Sequence, residues 1–331
     1  MRFIIVLGWV FSWVLSSVSL AADFERGDPV TEGIQTENLK ALVARSDESE
    51  SDSLLIVKNG KLILEKYSAE GGSPIQSFSV TKSIVNLGIG FAVAEGKLDS
   101  IDAPVHRYFP EWNQGRKKRI TIRHLMNHTS GISTASEVDF VYPDLIQYAL
   151  AAEIDHDPGS RFVYNNKAVQ LLSGVLQKIT NERTDLYLKK KLFTPLGIVN
   201  YRWRVDQANH AAGSAGLEIA AMDLGKIGQM LLDRGLWKGV RVVQEDWIAL
   251  STRPSQSYEP RCGLLWWLID WTPKRGFNAG GWLGQYLAII PETRTVGVRQ
   301  LKYKPGMDES NTDEFDDFTE RLAGLSEPAA P

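Results

Sequence analysis

The sequence predicts an α/β protein: an antiparallel sheet flanked by helices and built from both chain ends, with a mostly helical part inserted between them. Three observations lead there. First, Leu54-Leu55-Ile56-Val57 and Leu62-Ile63-Leu64 flank Lys58-Asn59-Gly60-Lys61, and Asn-Gly between two apolar runs is a strong hairpin signal. Second, beyond residue 260 the apolar period shortens, so that Gly263 to Ile269, Tyr286 to Ile290 and Thr295 to Leu301 read as strands. Third, from about 97 to 250 the apolar spacing is helical. Strand patterns at both ends join in one layer if the middle is an insertion.

In chain order, the first segment reads as an export signal. Arg2 is followed by an almost wholly apolar stretch from Phe3 to Val18, then by Ser19-Leu20-Ala21, with small residues where a signal peptidase reads. The run is short for a bilayer span, which favours cleavage after Ala21 over a retained anchor, and the mature chain is expected to be periplasmic or secreted without stable membrane insertion. No cysteine lies near that site to carry a lipid anchor. Residues 22 to about 50 predict a short helix, and Ser46 to Asp52 a solvated turn. After the hairpin and Gly71-Gly72 comes a helix opened by Ser79, dense in apolar groups (Ile84, Val85, Leu87, Ile89, Phe91, Ala92, Val93) until Gly96.

The middle is broken at Pro104, Pro110, Pro143, Pro158 and Pro195, with helical spacing over Val169 to Ile179, Leu186 to Leu192 and Leu217 to Leu232. Asn311 to Leu325 reads as a closing amphipathic helix and the Ser/Pro/Ala tail as mobile. The expected division is residues 22–96 plus 255–331 for the mixed α/β part and 97–254 for the mainly helical part.

Composition sets limits. The chain has 331 residues, 43% of them hydrophobic and 23% charged, ordinary values for a globular protein with ample core. A formal net charge of −3 gives no electrostatic reason to expect nucleic acid or anionic membrane as a partner. The single Cys262 forms no internal disulfide, so the core alone holds the fold. Trp266, Trp267, Trp271 and Trp282 lie close in sequence and fit either core or the wall of an aromatic pocket.

The chemistry concentrates in Ser79-Val80-Thr81-Lys82. Residues three apart on a helix share a face, so Lys82 comes within reach of the Ser79 hydroxyl, and the helix start supplies backbone N–H groups for an oxyanion. Serine becomes a nucleophile when a neighbour takes its proton, which a desolvated lysine can do. No other serine in the chain has a lysine three residues on. A second element, Tyr164-Asn165-Asn166, holds the only Tyr-x-Asn of the sequence and precedes an apolar helix. The phenol can take part in proton transfer and the Asn166 amide can position substrate; the alternative is that Asn165 or Asn166 simply caps the helix.

Together these motifs resemble the serine β-lactamase and penicillin-binding superfamily, in its class C and DD-peptidase-like branch. Tyr164 stands 85 residues after Ser79, as suits that branch. Glu95-Gly96-Lys97-Leu98-Asp99, Thr121 to Gly131, Ala212 to Leu217, Trp237-Lys238-Gly239 and Val242 to Trp247 resemble the same family, in order, over roughly residues 50 to 300. The third motif departs from it. Where Lys-Thr-Gly or His-Thr-Gly is usual, this chain has Phe277 to Tyr286, with Ala279 at the place of the cation. The variant resembles the branch of 6-aminohexanoate-dimer hydrolase and related carboxylesterases, where Gly-x-x-Gly-Gln is familiar. The resemblance implies Gly281, Trp282 and Gln285 as substrate-binding residues, with Ser79 N–H and Trp282 N–H as oxyanion donors.

Other features carry less. His124 and His128 stand four apart, a metal-compatible spacing, but no glutamate follows His124 to complete a zinc-protease signature. Arg116 to Arg119 is a short basic run of the kind found in solvated loops. A triad through His156 is unnecessary beside Ser79 and Lys82, and Gly213 to Gly216 lacks the lysine of a phosphate loop. The expectation is therefore an exported serine hydrolase that cleaves a small-molecule ester or amide. Ser79 is the nucleophile, Lys82, held largely neutral by burial and by Tyr164, is the base, Tyr164 the proton relay and Asn166 the orienting amide. Neither metal nor organic cofactor is required. The alternatives are a catalytically silent binding module of the same fold and a DD-peptidase acting on peptidoglycan.

Overall fold

The Asn59-Gly60 turn forms as its residues dictate. Both take left-handed angles (φ 53° and 78°), which match the twist of the flanking strands, and β2 (Ser53–Lys58) pairs antiparallel with β3 (Lys61–Tyr67). The computed structural model describes residues 23–69, 72–135, 142–270, 274–307 and 315–327. The export segment expected over residues 1–21 lies outside these, as do Gly71, Trp271, Asn311 to Glu314 and the last four residues of the tail.

The two chain ends meet in one sheet. Among the described residues its order is β1 (Glu25–Arg26), β3, β2, β12 (Thr295–Gln300), β11 (Gln285–Ile290), β10 (Gly276–Gly281), β9 (Trp267–Ile269). The join is the β2–β12 ladder, with Val57 opposite Val296 and Leu55 opposite Val298. All pairings are antiparallel except that of the two-residue edge strand β1 with β3. The unbroken apolar run of β2 follows from burial on both faces. Leu55 and Val57 enter a core with α2 (Val80–Ala94), α5 (Asn166–Thr180) and α7 (Ala221–Leu232). Leu54 and Ile56 enter a second core with α1 (Thr36–Glu48) and α9 (Phe318–Ala323).

The middle of the chain adds α3 (Ile122–Met126), α4 (Leu145–Ala151), α6 (Thr184–Leu188) and α8 (Glu245–Ser251). It also carries strands that helical spacing did not announce. β5 (Tyr201–Trp203) and β6 (Leu217–Ile219) form a small sheet with β4 (Ile75–Gln76), and β7 (Leu236–Trp237) pairs with β8 (Val240–Arg241). The stretch expected as one helix from Leu217 is thus a strand, then a helix that begins at Ala221 and packs on β11, β12 and β2.

Two further expectations are corrected. Gly263 to Ile269 is strand only over Trp267–Ile269, because Leu265 takes a left-handed angle (φ 62°) that ends the extended run. The turn Ser46 to Asp52 is not solvated throughout: Ser46, Ser49 and Asp52 are buried. Arg299, itself fully buried, reaches across to donate to Ser49 O (2.9 Å) and Ser51 Oγ (2.8 Å), and Asp52 accepts from Ser68 Oγ (2.5 Å) and Lys302 N–H (2.8 Å).

Candidate active site

Ser79 occupies the N-cap position of α2, a place serine favours for the bond its side chain can make to the free N–H groups. Here the hydroxyl makes no such bond. Lys82 Nζ instead donates to Ser79 Oγ at 2.8 Å and to Ser214 O at 2.8 Å. Lys82 is buried, and its Nζ lies 5.0 Å from the centre of the Tyr164 ring. Segments 82 residues apart in sequence (Lys82 and Tyr164) therefore converge beside one hydroxyl. Phe78, just before Ser79, holds a left-handed angle (φ 45°), strained for a non-glycine residue, which turns the chain sharply from β4 into the helix.

Tyr164 sits between His128, whose ring centre is 4.6 Å away, and Trp267, stacked at 6.2 Å. His128 is buried and its Nδ1 accepts from Asn165 N–H (3.2 Å), which places the ring proton on Nε2. Burial, helped by the charge of Lys82, pushes its pKa down to about 3, so the imidazole is neutral at physiological pH. The sequence offered His128 only as half of a metal pair. His124 is turned to another task, its Nδ1 accepting from Thr121 N–H in a reciprocal cap of α3. Among the described residues, the one grouping with metal-compatible spacing is Asp144, Asp206 and His210, none of which lines the cavity or the recess at Ser79. Its carboxylates already accept from Ile146, Gln147, Leu145 and His210 N–H groups.

The Tyr-x-Asn segment divides its labour. Asn165 is the cap: Oδ1 accepts from Ala168 N–H (2.9 Å) and Nδ2 donates to Ile132 O (2.8 Å). Asn166 is the half-buried first residue of α5 and is not among the residues lining the cavity or the recess at Ser79. The cavity in front of Ser79 holds about 420 Å³ and is lined by Tyr164, Trp267, Trp282, Tyr286, Asn278 and Gly280, with Arg261, Asp316 and Thr319 at its margins. A recess of about 10 Å³ behind it, lined by Lys82, His128 and Tyr164, has room for roughly one water.

The third motif lies on β10 and in the turn after it. A Cβ added to Gly281 would stand 2.6 Å from Ser77 O and 3.2 Å from Ser79 N, so only glycine lets this strand end lie against the start of α2. Trp282 packs edge-on to Phe78 at 5.1 Å. Arg299 holds the following turn, donating to Leu283 O and to Gly284 O (3.0 Å). Ala279 is buried. Gln285, expected to bind substrate, lines neither the cavity nor the recess at Ser79. It is fully buried, its Nε2 donates to Leu301 O (2.6 Å) and its Oε1 accepts from Leu301 N–H (3.2 Å), so both ends of the amide tie β11 to the chain after β12.

The tryptophans separate by where the chain leads into and out of the strands, Trp266 standing just before β9, Trp267 at its start and Trp282 just after β10. Trp266 is core, its Nε1 directed at Asn86 Oδ1 (3.3 Å), while Trp267 and Trp282 line the cavity. Cys262 is buried and burial pushes its thiol up to about 12, leaving it protonated and unreactive. Arg261, Asp316 and Thr319 had no sequence signal, and Asn278 lay within the third motif without being singled out; all four line the cavity once the distant segments pack.

The mixed α/β sheet flanked by helices is the fold of β-lactamases and penicillin-binding proteins. The Beta-lactamase family profile matches residues 39–318, and the chain belongs to that family. It is 28% identical over 187 residues to Protein flp of Staphylococcus aureus (strain COL), covering 50% of this chain and only 37% of that one. It is 24% identical over 339 residues to 6-aminohexanoate-dimer hydrolase of Paenarthrobacter ureafaciens, covering 88% of this chain and 84% of the relative. The crystal structure of a family VIII carboxylesterase superposes with a TM-score of 0.72 at 17% identity, over 91% of this chain and 98% of that one.

Proposed function

We propose that the protein is an exported serine hydrolase that cleaves an ester or amide through an acyl-enzyme on Ser79. The observation that carries this reading is the 2.8 Å contact of Lys82 Nζ with Ser79 Oγ beside the Tyr164 ring. In its unprotonated form Lys82 takes the Ser79 proton as Oγ attacks the carbonyl carbon. The oxyanion is received by the N–H groups of Ser79 and Trp282, at the junction Gly281 keeps close. Tyr164 hands a proton to the departing alkoxide or amine, the acyl-enzyme forms, and water activated by the same pair releases the acid. His128, neutral beside Lys82, adds no positive charge to oppose the proton that Lys82 gains. Relatives named for an amide hydrolase and a carboxylesterase support this substrate range. Ala279, where the sequence placed the missing cation, is buried, and the β10 side chain that faces the cavity is the uncharged Asn278; with no cation on this strand to grip a substrate carboxylate, p-nitrophenyl esters of short acids should exceed nitrocefin as substrates.

Substituting Ser79 by alanine should abolish both turnover and labelling by an activated phosphonate. Retention of either at the wild-type level would refute the reading. Absence of labelling in the wild type would favour a silent binding module. Nitrocefin hydrolysed orders of magnitude faster than the esters would overturn the substrate preference. Export predicts that the secreted or periplasmic protein begins after Ala21, which N-terminal sequencing checks.

A further inference from the structure

β10 shows one face to the cavity. Asn278 and Gly280 share that face, two apart on the strand, and both line the cavity with Ser79 and Trp267. Asn278 is only 4% exposed, yet among the described residues its side-chain amide has no hydrogen-bond partner. The contrast with its neighbours is sharp. Asn86 bonds Ser251 Oγ, Leu264 O and two tryptophans, Asn165 bonds at both ends, and Gln285 does too. The Asn278 amide atoms are not among the fully buried polar atoms that lack a partner, so they open onto the cavity, where water or a substrate group can meet them. The amide also lies over Gly280: a Cβ built there would meet Asn278 Oδ1 at 3.5 Å and Trp267 Cδ1 at 3.8 Å.

We infer that Asn278 is a specificity-determining residue that pairs with an amide group in the acyl chain of the substrate, so that the preferred substrates are acylated amino acids or peptide-like acyl donors rather than simple fatty esters. An Asn side chain offers one acceptor and a donor pair, which matches the C=O and N–H of a substrate amide two-for-two. Trp267 and Trp282 supply flat apolar walls for the chain that carries it. This inference rests on the acyl-enzyme reading at Ser79. Among the described residues Lys82 bonds Ser79 Oγ and Ser214 O, and the role of Asn278 is to position the acyl chain.

The test compares two esters of equal acyl length: p-nitrophenyl N-acetylglycinate, which carries an amide, and p-nitrophenyl pentanoate, which does not. In the Asn278→Leu variant kcat/KM for the amide-bearing ester should fall about tenfold, mostly through KM, as for the loss of one or two neutral hydrogen bonds. The pentanoate should change by no more than about twofold, because the missing amide has nothing to pair with. Asn278→Ser, smaller and still polar, gives the same split if the Leu variant fails to fold. Equal losses on both esters would mean a merely structural residue, and no loss on either would mean an idle one; each overturns the inference. Phosphonate labelling of wild-type Ser79 separates the two levels. Labelling present with no ester split defeats only the Asn278 inference, and labelling absent defeats the hydrolase reading and this inference with it.

Discussion

Gly281→Ala is the perturbation that reads the site most directly. The added methyl carbon would stand 2.6 Å from Ser77 O, 3.2 Å from Ser79 N and 3.2 Å from Gln285 Cβ. Ordinary contact begins near 3.4 Å, so the end of β10 and the start of α2 must part by about 0.8 Å (3.4 less 2.6). Backbone, not a flexible side chain, meets the methyl, and Gln285 cannot yield because both ends of its amide are bonded to Leu301. Gly281 is outside the left-handed region, so the effect is one of space alone. In the proposed oxyanion hole, a shift of up to that size moves Trp282 N–H relative to Ser79 N–H and weakens one of the two hydrogen bonds, a loss of about 10²–10³ in kcat. Because that bond strengthens only in the transition state, kcat and kcat/KM should fall together. Gly280→Ala is the control, since its methyl meets Asn278 Oδ1 at 3.5 Å and Trp267 at 3.8 Å, both ordinary contacts. It should keep kcat within a few-fold. Steady-state hydrolysis of p-nitrophenyl pentanoate, with melting curves for both variants, measures this. A Gly281→Ala enzyme with near wild-type kcat, or equal losses in the two variants, would refute the placement of the oxyanion hole.

The neutral, buried His128 predicts acid sensitivity. Its folded pKa lies below the unfolded value, so the unfolded chain binds the proton first; the stabilisation is complete above about pH 6.5 and declines as pH falls toward 3, roughly tenfold in the folding equilibrium per pH unit. Urea midpoints between pH 7 and 5 should shift less in His128→Asn, whose amide tolerates the left-handed angle (φ 58°); parallel shifts would discredit the assignment. Arg299→Met should lower stability by more than about 3 kcal/mol, since it strips the guanidinium from Ser49 O, Ser51 Oγ, Leu283 O and Gly284 O at once. A urea-derived loss below about 1 kcal/mol would mean that these acceptors find other donors. The Cys262 thiol, pushed up to about 12 by burial, should resist iodoacetamide at pH 8 in the native enzyme and react once denatured; rapid native alkylation would contradict its burial.

What the sequence determined by itself is local. Asn59-Gly60 forces a left-handed turn wherever it is placed, the run Leu54 to Val57 demands burial on two faces, and a three-residue step puts Lys82 over Ser79 because a helix does that in any surroundings. The meeting of Tyr164 with this pair was legible only through family likeness, since no spacing rule links residues 85 apart. The tertiary structure decided the rest. It sealed His128 away from water and so kept it neutral, and it closed both ends of Gln285 on Leu301 while leaving the Asn278 amide facing the cavity. It also sent Trp266 into the core and Trp267 to the cavity wall. Each of these is a property of what lies opposite a side chain. That is fixed when distant segments pack, and a linear pattern of residue types does not contain it.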